Sequence, residues 1–358
     1  MKVALVYDRV NKWGGAERVL LALHKIFPDA PLYTSVYSAE KAPWAKVFDV
    51  KTSFLQKLPF SIHHELYAPF MPLAFESFNF DKYDLVISVS SEAAKGIITK
   101  PETMHVSYVL TPTRYLWSGY REYFRTDWFR YLSYPIVSYL RFWDKIAAAR
   151  PDSLIVISKE VQSRVKRYYK RDSAVVYPPV SLRTTGYRLQ KKKSVDRRQL
   201  TDSYFLIVSR LVPYKRVDIA IKAFNKLGLP LKVVGTGSEE GRLKEMAKSN
   251  IDFLGHLTEA ELLGYYQGCK CLIFCGKEDF GLTILEANSF GKPVIAYKAG
   301  GALETVEEGK TGIFFDKANP DSLVQAVKKF GKMTFNSKTC MEKSEEFSFR
   351  NFKNNFLS

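Results

Sequence analysis

The sequence predicts an α/β protein of two domains, each built on a parallel β-sheet. The chain has 358 residues, whereas one domain usually takes roughly 150. Short apolar runs rich in β-branched residues alternate with segments of helical spacing, a pattern typical of strands that helices cover on both faces. Both halves of the chain open with strand, loop and helix. We therefore expect two similar α/β domains that face each other across a cleft.

The strands are predicted at the apolar runs, and the helices between them. The runs lie at residues 3–7, 85–89, 105–110, 154–157, 174–177, 204–208, 231–234, 271–274 and 294–297. Asn319-Pro320 is typical of a helix N-cap followed by proline at the first helical position. Thr258 and Glu261 have the spacing of a capping box, which predicts a second helix start.

The domain boundary is predicted just after Pro178-Pro179, where a polar and basic stretch begins. This gives an N-terminal domain of residues 1–180 and a C-terminal domain of residues 181–345. The last segment, 346–358, is expected to pack back toward the N-terminal domain.

The charge balance predicts an anionic partner. The 54 Lys and Arg residues against 37 Asp and Glu give a net charge of +17, which suits nucleic acid, anionic lipid or phosphorylated small molecules. Four cysteines are too few for a disulfide scaffold, and Cys271 and its neighbours favour buried thiols over a metal site. No apolar run approaches the ~20 residues of a membrane helix, and the N-terminus lacks a signal peptide pattern. We expect a cytoplasmic protein.

Loops that follow strands are the candidate sites, because ligands of parallel sheets bind at the carboxyl ends of the strands. Gly14 and Gly15 follow the first strand. They would let the backbone approach an anion at the next helix N-terminus, although a plain turn is the alternative. Arg210 and Lys215 follow the first strand of the second half. They could converge on a diphosphate, or they could be solvated surface charges.

A third loop contains Gly235, Gly237 and Gly241. A dinucleotide-binding fingerprint reads G-x-G-x-x-G on the first strand of its domain, whereas this loop is one residue longer and follows a second strand. Asp252 lies near the distance expected for the ribose-binding acid, so a nicotinamide-dependent oxidoreductase stays open. A glycine-rich loop beside a phosphate is the favoured interpretation.

The fourth loop contains two glutamates separated by seven residues. Glu278 follows the strand at 271–274, and Glu286 lies about one turn into the next helix. The two carboxylates could touch a ligand at two points, with helix N–H groups facing an anion between them. A helix cap with an exposed acid is an equal alternative.

These loops together resemble the retaining glycosyltransferases of family 4, which have the GT-B fold of two Rossmann-like domains. Glu278-x7-Glu286, with Phe280-Gly281 inside it, is similar to the E-x7-E motif of that family. The other matching blocks, in order, are Gly14-Gly15-x-Glu17, Ser209-Arg210-Leu211 with Lys215, Gly235-x-Gly237, Phe253-Leu254-Gly255-His256, Gly291-Lys292-Pro293-Val294 and Gly300-Gly301. Thr111-Pro112-x-Arg114-Tyr115-Leu116-Trp117 resembles bacterial mannosyltransferases of O-antigen and polysaccharide synthesis. That group usually has His where this chain has Leu110.

The resemblance implies a role for each candidate. Glu278 would bind hydroxyls of the donor sugar, Arg210 and Lys215 would hold the diphosphate as it leaves, and Glu286 would bind the ribose. The other implied donor-binding residues are Gly14, Gly15, Gly235, Gly237, His256, Leu257, Phe280, Gly281 and Leu282. Arg114 and Tyr115 would lie on the acceptor side.

No D-x-D sequence occurs in the chain, so the usual carboxylate clamp for a divalent metal is missing. Arg and Lys would supply the positive charge instead, and we expect no metal and no cofactor. Residues 114–145 mix aromatic and basic side chains, and residues 159–198 are basic. Such surfaces suit membrane interfaces or single-stranded nucleic acid, and a core-covering helix with extended arginines is the plain alternative. Because many acceptors of the family are lipid-linked, an anionic membrane is favoured.

The sequence therefore predicts a metal-independent transferase of a hexose, with mannose or glucose favoured, from a nucleotide diphosphate sugar. The acceptor would be a glycan or a polyprenyl-diphosphate-linked molecule, and the protein would sit peripherally on the inner face of the plasma membrane. The alternatives are a nicotinamide-dependent oxidoreductase and a basic nucleic-acid-binding protein.

Overall fold

The chain divides into two compact units in the computed structural model. The N-terminal unit comprises residues 1–179 and 355–358, and the C-terminal unit comprises residues 180–354. The residues that the structure describes are 1–59, 64–124, 126–180 and 204–358. The basic stretch after the predicted boundary therefore lies outside the described residues from position 181 to position 203.

The sheet of the N-terminal unit has seven strands in the order β3-β2-β1-β4-β5-β6-β7, all parallel. Its strands are β1 Val3–Tyr7, β2 Leu32–Thr34, β3 Val50–Thr52, β4 Leu85–Ser90, β5 Met104–Val109, β6 Ser153–Val156 and β7 Ala174–Val175. Its helices are α1 Gly15–Ile26, α2 Met71–Glu76, α3 Tyr120–Tyr123, α4 Asp127–Ala149 and α5 Lys159–Tyr169. The Phe356 ring, from the end of the chain, lies 6.1 Å from the Tyr108 ring of β5.

The sheet of the C-terminal unit has six parallel strands in the order β10-β9-β8-β11-β12-β13. Its strands are β8 Tyr204–Val208, β9 Leu231–Val234, β10 Ile251–Gly255, β11 Cys269–Phe274, β12 Val294–Tyr297 and β13 Gly312–Phe315. Its helices are α6 Val217–Leu227, α7 Glu240–Met246, α8 Glu259–Gly268, α9 Leu282–Ser289, α10 Ala302–Thr305, α11 Pro320–Phe330, α12 Ser337–Glu345 and α13 Phe349–Leu357, which ends in the N-terminal unit.

Alternate residues of each central strand enter different cores. Phe205 of β8 lies in the core on one face of the sheet, and Leu206 lies in the core on the other. A strand buried on both faces needs a continuous apolar run, which is why these strands could be predicted. The thiols of Cys269, Cys271 and Cys275 are free and buried, as predicted, and so is that of Cys340.

Both predicted helix starts are confirmed. The Asn319 side chain accepts a hydrogen bond from the Ser322 N–H at 2.9 Å, with proline in the first turn. Thr258 and Glu261 form a reciprocal capping box at the start of α8. Each cap gives main-chain N–H groups an acceptor that the helix itself cannot provide.

Candidate functional site

The order of the C-terminal sheet creates a crevice between β8 and β11. The chain passes from β8 to β9 on one side and from β11 to β12 on the other, so the loops after β8 and β11 diverge. Such a point of divergence is where open α/β sheets bind ligands. A pocket lies there, and its lining includes Ser209, Lys215, Cys275, Gly276 and Glu278.

Lys215 and Glu278 meet in this pocket. Lys215 Nζ forms an ion pair with Glu278 Oε2, and the two side chains are 13% and 20% exposed. The loops that carry them are in contact, because a Cβ at Gly276 would lie 3.0 Å from Lys215 Cα. Glu278, Arg210 and Lys215 are the three residues that the resemblance implies for catalysis, and the structure brings two of them together.

Arg210 is exposed beside the pocket, and Tyr214 orients it. Arg210 Nη2 donates to the Tyr214 hydroxyl at 2.5 Å, and the guanidinium lies 5.9 Å from the centre of that ring. Lys215 Nζ lies 5.3 Å from the same centre. Cations near an aromatic ring are attracted by its electron distribution, so Tyr214 holds both basic groups in one region. The sequence motifs did not point to Tyr214.

The glycine loop after β9 lies directly on the Arg210 loop. A Cβ at Gly235, which has φ +126°, would lie 1.9 Å from the Ser209 carbonyl oxygen, and one at Gly237 would lie 2.3 Å from that of Leu211. The Leu211 N–H donates to the Thr236 carbonyl at 2.9 Å. These glycines are therefore required for contact between two protein loops, whether or not a phosphate is bound.

A second glycine pair supports the Glu278 loop in the same way. The Gly301 N–H donates to the Glu278 carbonyl at 2.9 Å, and a Cβ at Gly301 would lie 2.3 Å from Phe280 Cα. The Phe280 ring is buried against Phe347, with ring centres 5.5 Å apart. Gly281, at φ +92°, then turns the chain into α9, whose first N–H groups have no acceptor within the helix.

Glu286 is buried, which contradicts the alternative of an exposed acid at this position. It is 3% exposed, and its Oε2 accepts a hydrogen bond from the Tyr266 hydroxyl at 2.6 Å. Tyr266 comes from α8 and is itself fully buried. Leu282, the first residue of α9, is half-buried one turn before Glu286. Sequence reasoning missed Tyr266, because nothing distinguishes it from its neighbour Tyr265.

His256 and Leu257 follow β10, the edge strand of this sheet. His256 is exposed, and Leu257 packs partly against the core. The Gly235 N–H donates to the Gly255 carbonyl at 2.8 Å, which joins the end of β10 to the glycine loop. The structure thus places these two residues at the carboxyl ends of the strands, as it does the pocket, with β9 between β10 and β8.

Within the N-terminal unit, Gly14 caps α1 and Gly15 begins it. Gly14 has φ 177°, an extended conformation open to any residue, and a Cβ there would lie 3.2 Å from Glu17 Oε2. Glu17 is buried and accepts a hydrogen bond from the Tyr7 hydroxyl at 2.7 Å. Burial and the nearby Glu17 carboxylate raise the pKa of Tyr7.

Sequence reasoning also did not select Asp8, which directly follows β1, as a candidate site residue. Its carboxylate accepts hydrogen bonds from the main-chain N–H groups of Ser91, Glu92, Ala93 and Ala94 at 2.6–3.0 Å. Burial raises the pKa of Asp8, although these donors favour its charged form. Asp8 therefore fixes the loop that follows β4.

Asp144 of α4 anchors the segment that contains the predicted acceptor-side residues Arg114 and Tyr115, both of which are half-buried. Asp144 is 1% exposed. It accepts hydrogen bonds from Lys95 Nζ at 2.6 Å, Thr113 Oγ1 at 2.9 Å, Trp117 Nε1 at 2.7 Å and the Tyr169 hydroxyl at 2.8 Å. Burial raises the pKa of Tyr115 well above its ordinary value.

Most of the C-terminal unit matches the model of a known family. Residues 190–347 match the model of the family described as glycosyl transferases group 1. An uncharacterized glycosyltransferase of Methanocaldococcus jannaschii, MJ1178, is 27% identical over 213 residues, which is 58% of this chain and 58% of that protein. The predicted resemblance to glycosyltransferases is confirmed.

A second relative of this glycosyltransferase-like chain is O-antigen chain mannosyltransferase C of Escherichia coli. It is 27% identical over 170 residues, which is 45% of each chain. The chain thus spans about half the length of these curated relatives.

A solved structure confirms the predicted fold class. The Anabaena protein Alr3699/HepE, in complex with UDP-glucose, has a TM-score of 0.72 and 20% identity. The match covers 100% of this chain and 98% of that one. The glycosyltransferase-like chain is therefore an α/β protein of the GT-B fold, with two Rossmann-like domains.

Two negative findings apply to the part of the glycosyltransferase-like chain that the structure describes. No group of three or more His, Cys, Asp and Glu side chains is placed to hold a metal ion there. No helix among those residues is long and apolar enough to cross a bilayer.

Proposed function

We propose that this protein is a retaining glycosyltransferase of family 4 that transfers a hexose from a nucleotide diphosphate sugar. The observation that carries the proposal is the pocket between β8 and β11, where Lys215 and Glu278 lie together with Arg210 beside them. This pocket lies within the region that matches the glycosyl transferases group 1 model. A cation for phosphate and a carboxylate for sugar hydroxyls are what a sugar diphosphate requires.

The donor would lie with its diphosphate at the two cations. Arg210 offers a planar fork of N–H groups and Lys215 a mobile point charge, and both suit phosphate oxygens. Negative charge grows on the diphosphate as the glycosidic bond breaks, so fixed cations stabilise the transition state more than the bound donor. We propose that these cations replace a divalent metal and that the enzyme needs no cofactor.

The two glutamates would bind the uncharged parts of the donor. A carboxylate only accepts hydrogen bonds, and hydroxyls of the sugar and the ribose are donors. Glu278 would face the sugar, and Glu286, oriented by Tyr266, would receive the ribose hydroxyls. His256 and Leu257 at the end of β10 would line the base.

Retention of configuration would follow from attack on the face from which the diphosphate leaves. The acceptor hydroxyl oxygen bonds to the anomeric carbon as the bond from that carbon to phosphate oxygen breaks. The hydroxyl proton passes to the leaving phosphate. Among the described pocket residues the carboxylate is Glu278, and in this proposal it accepts hydrogen bonds from the sugar hydroxyls and does not attack the anomeric carbon.

Two comparisons support the hexose class. The Escherichia coli relative is named a mannosyltransferase, and the Anabaena structure holds UDP-glucose. Mannose and glucose are therefore the proposed sugars, and a glycan or polyprenyl-diphosphate-linked molecule in polysaccharide biosynthesis is the proposed acceptor. The nicotinamide alternative is disfavoured, since Gly235 follows β9 rather than the first strand of its unit.

A screen of nucleotide sugars tests the transferase proposal. Purified protein is incubated with UDP-glucose, GDP-mannose and related donors, and the released nucleoside diphosphate is measured. We expect release with one donor, and its loss in Lys215→Ala and Glu278→Ala. Lys226→Ala is the matched control, because Lys226 forms an exposed ion pair with Asp321 on the surface. No release from any donor, or release that survives both pocket substitutions, would contradict the proposal.

The proposed membrane surface is the exposed side of α4. The opposite side packs on the core through Val137, Leu140 and Trp143. Large apolar side chains that remain exposed along the helix are Trp128, Phe129, Tyr131, Leu132, Tyr134, Ile136, Tyr139, Phe142 and Ile146. Tryptophan and tyrosine favour the boundary between headgroups and acyl chains. The net charge of +17 would add attraction to anionic lipid on the inner face of the plasma membrane.

Vesicle cosedimentation tests this surface. We expect pelleting with anionic vesicles that weakens at high salt, and little pelleting with neutral ones. Trp128→Glu should reduce binding, whereas Val47→Glu should not, because Val47 is an exposed apolar residue of the short turn Pro43–Val47, which is not part of α4. If both variants pellet like the parent protein, α4 is not the surface. If the parent does not pellet with anionic lipid at low salt, the membrane proposal is wrong.

A further inference from the structure

We propose that Glu278 is a specificity-determining residue which competes with the donor diphosphate for Lys215. The site would thereby favour intact nucleotide sugars over free nucleoside diphosphates. The proposal rests on the proposed function and adds a role for the ion pair in selecting donor and releasing product.

The main chains on both sides of the ion pair are fixed. The Lys215 N–H donates to the Val212 carbonyl at 3.0 Å. On the other side, the Glu278 carbonyl accepts the Gly301 N–H, and a Cβ at Gly300 would lie 2.4 Å from that carbonyl oxygen. Only side-chain rotation is therefore needed to separate Lys215 Nζ from Glu278 Oε2.

The free-energy cost of separating Lys215 from Glu278 differs from one ligand to another. The Glu278 side chain is 20% exposed, and a largely buried carboxylate that loses its partner is destabilised unless other donors replace it. A nucleotide sugar replaces both partners, since its diphosphate takes Lys215 and its sugar hydroxyls donate to Glu278. A nucleoside diphosphate has a partner for Lys215 but no sugar hydroxyls for Glu278, so it leaves Glu278 unpaired.

The same asymmetry operates after transfer. Once the sugar has moved to the acceptor, Glu278 loses its hydroxyl donors while the nucleoside diphosphate still holds Lys215. Re-formation of the Lys215–Glu278 pair then lowers the affinity for the product. The ion pair therefore assists product release without any movement of the main chain.

Calorimetric titration with UDP and GDP tests the competition. Glu278→Gln keeps the shape of the side chain and removes its charge, and we expect it to bind its nucleoside diphosphate roughly tenfold more tightly than the parent. Glu278→Asp keeps the charge but shortens the reach to Lys215, and we expect a smaller gain in affinity.

A double-mutant cycle separates competition from simple charge repulsion. In a Lys215→Ala background the pair is absent, so adding Glu278→Gln should leave the affinity unchanged. A carboxylate that merely repels the phosphates would give the same gain in both backgrounds. Asp279→Asn is the matched control, because it removes a neighbouring negative charge from the same loop and should not reproduce the gain.

The outcomes distinguish this inference from the proposed function. If the parent protein binds neither UDP, GDP nor any other nucleoside diphosphate, the proposed function fails. If the parent binds one of them and Glu278→Gln binds it no more tightly, the competition is refuted. An equal gain with and without Lys215, or no gain in Glu278→Asp, also refutes it. Thermal melting of each variant confirms that the compared proteins are folded.

Discussion

Replacement of Tyr266 by Phe tests the role of Glu286 without touching that residue. The Tyr266 hydroxyl donates to Glu286 Oε2 at 2.6 Å, and both side chains are buried. The substitution removes a single oxygen and keeps the ring, which stacks on Phe290 with centres 5.8 Å apart. Glu286 then has one donor fewer to hold its carboxylate in place.

The magnitude follows from the value of a charged hydrogen bond. Such a bond contributes about 1.5–3 kcal/mol, and about 1.4 kcal/mol is a tenfold change in affinity. Glu286→Ala should therefore raise the KM for the donor roughly ten- to hundredfold, and Tyr266→Phe should raise it less. The kcat should change little in both variants, because a ribose contact exists before and during the reaction.

Initial rates across donor concentrations separate KM from kcat. Tyr265→Phe is the control, since it removes a hydroxyl from the next position of α8, outside the bond to Glu286. An unchanged KM in Glu286→Ala would refute the ribose assignment. A fall in kcat at constant KM would place Glu286 in the chemical step instead.

Three further predictions concern charge, packing and pH. Arg210→Ala and Lys215→Ala should each lower kcat about 10²–10³-fold, and activity should survive EDTA; recovery only with added Mg²⁺ or Mn²⁺ would contradict metal independence. Gly301→Ala would place a Cβ 2.3 Å from main chain of the facing loop, so it should lower thermal stability by about 1–3 kcal/mol, whereas Gly241→Ala, with open space around it, should not. Burial lowers the pKa of His105 to about 3. As the pH falls, the His105 side chain is therefore protonated in the unfolded chain before it is protonated in the folded protein, and about 2 kcal/mol of stability should be lost between pH 7 and pH 5. A His105→Gln variant with the same acid sensitivity would refute this.

The central strands could be predicted because both of their faces are buried. The strand at 204–208 was predicted with both of its bounds correct, since a continuous apolar stretch of that length is typical of a strand buried on both faces. β2 and β3 were missed because each has three residues, too few to show an apolar pattern. β10 was missed because exposed Asp252 and the turn at Gly255 interrupt its apolar run.

The residues of the candidate site could be predicted from the sequence, but the contacts between them could not. Lys215 and Glu278 were each chosen from their own loop, and their pairing depends on β8 and β11 being neighbours. Tyr214 and Tyr266 belong to no motif, and only the fold shows which side chains they reach. The glycines at 235 and 237 were expected beside a phosphate, yet their bare Cα atoms lie against another loop.

The ion pair in the pocket also bears on the charge surplus. Because Lys215 is balanced by Glu278, the ion pair in the pocket between β8 and β11 adds nothing to the net charge of +17. A donor diphosphate alone therefore does not account for the surplus that first indicated an anionic partner. Basic side chains of α5, such as Lys159 and Arg167, are exposed, and α5 is in contact with α4. The proposed membrane surface, rather than the proposed donor, would account for the surplus, and the salt dependence of vesicle binding tests that proposal.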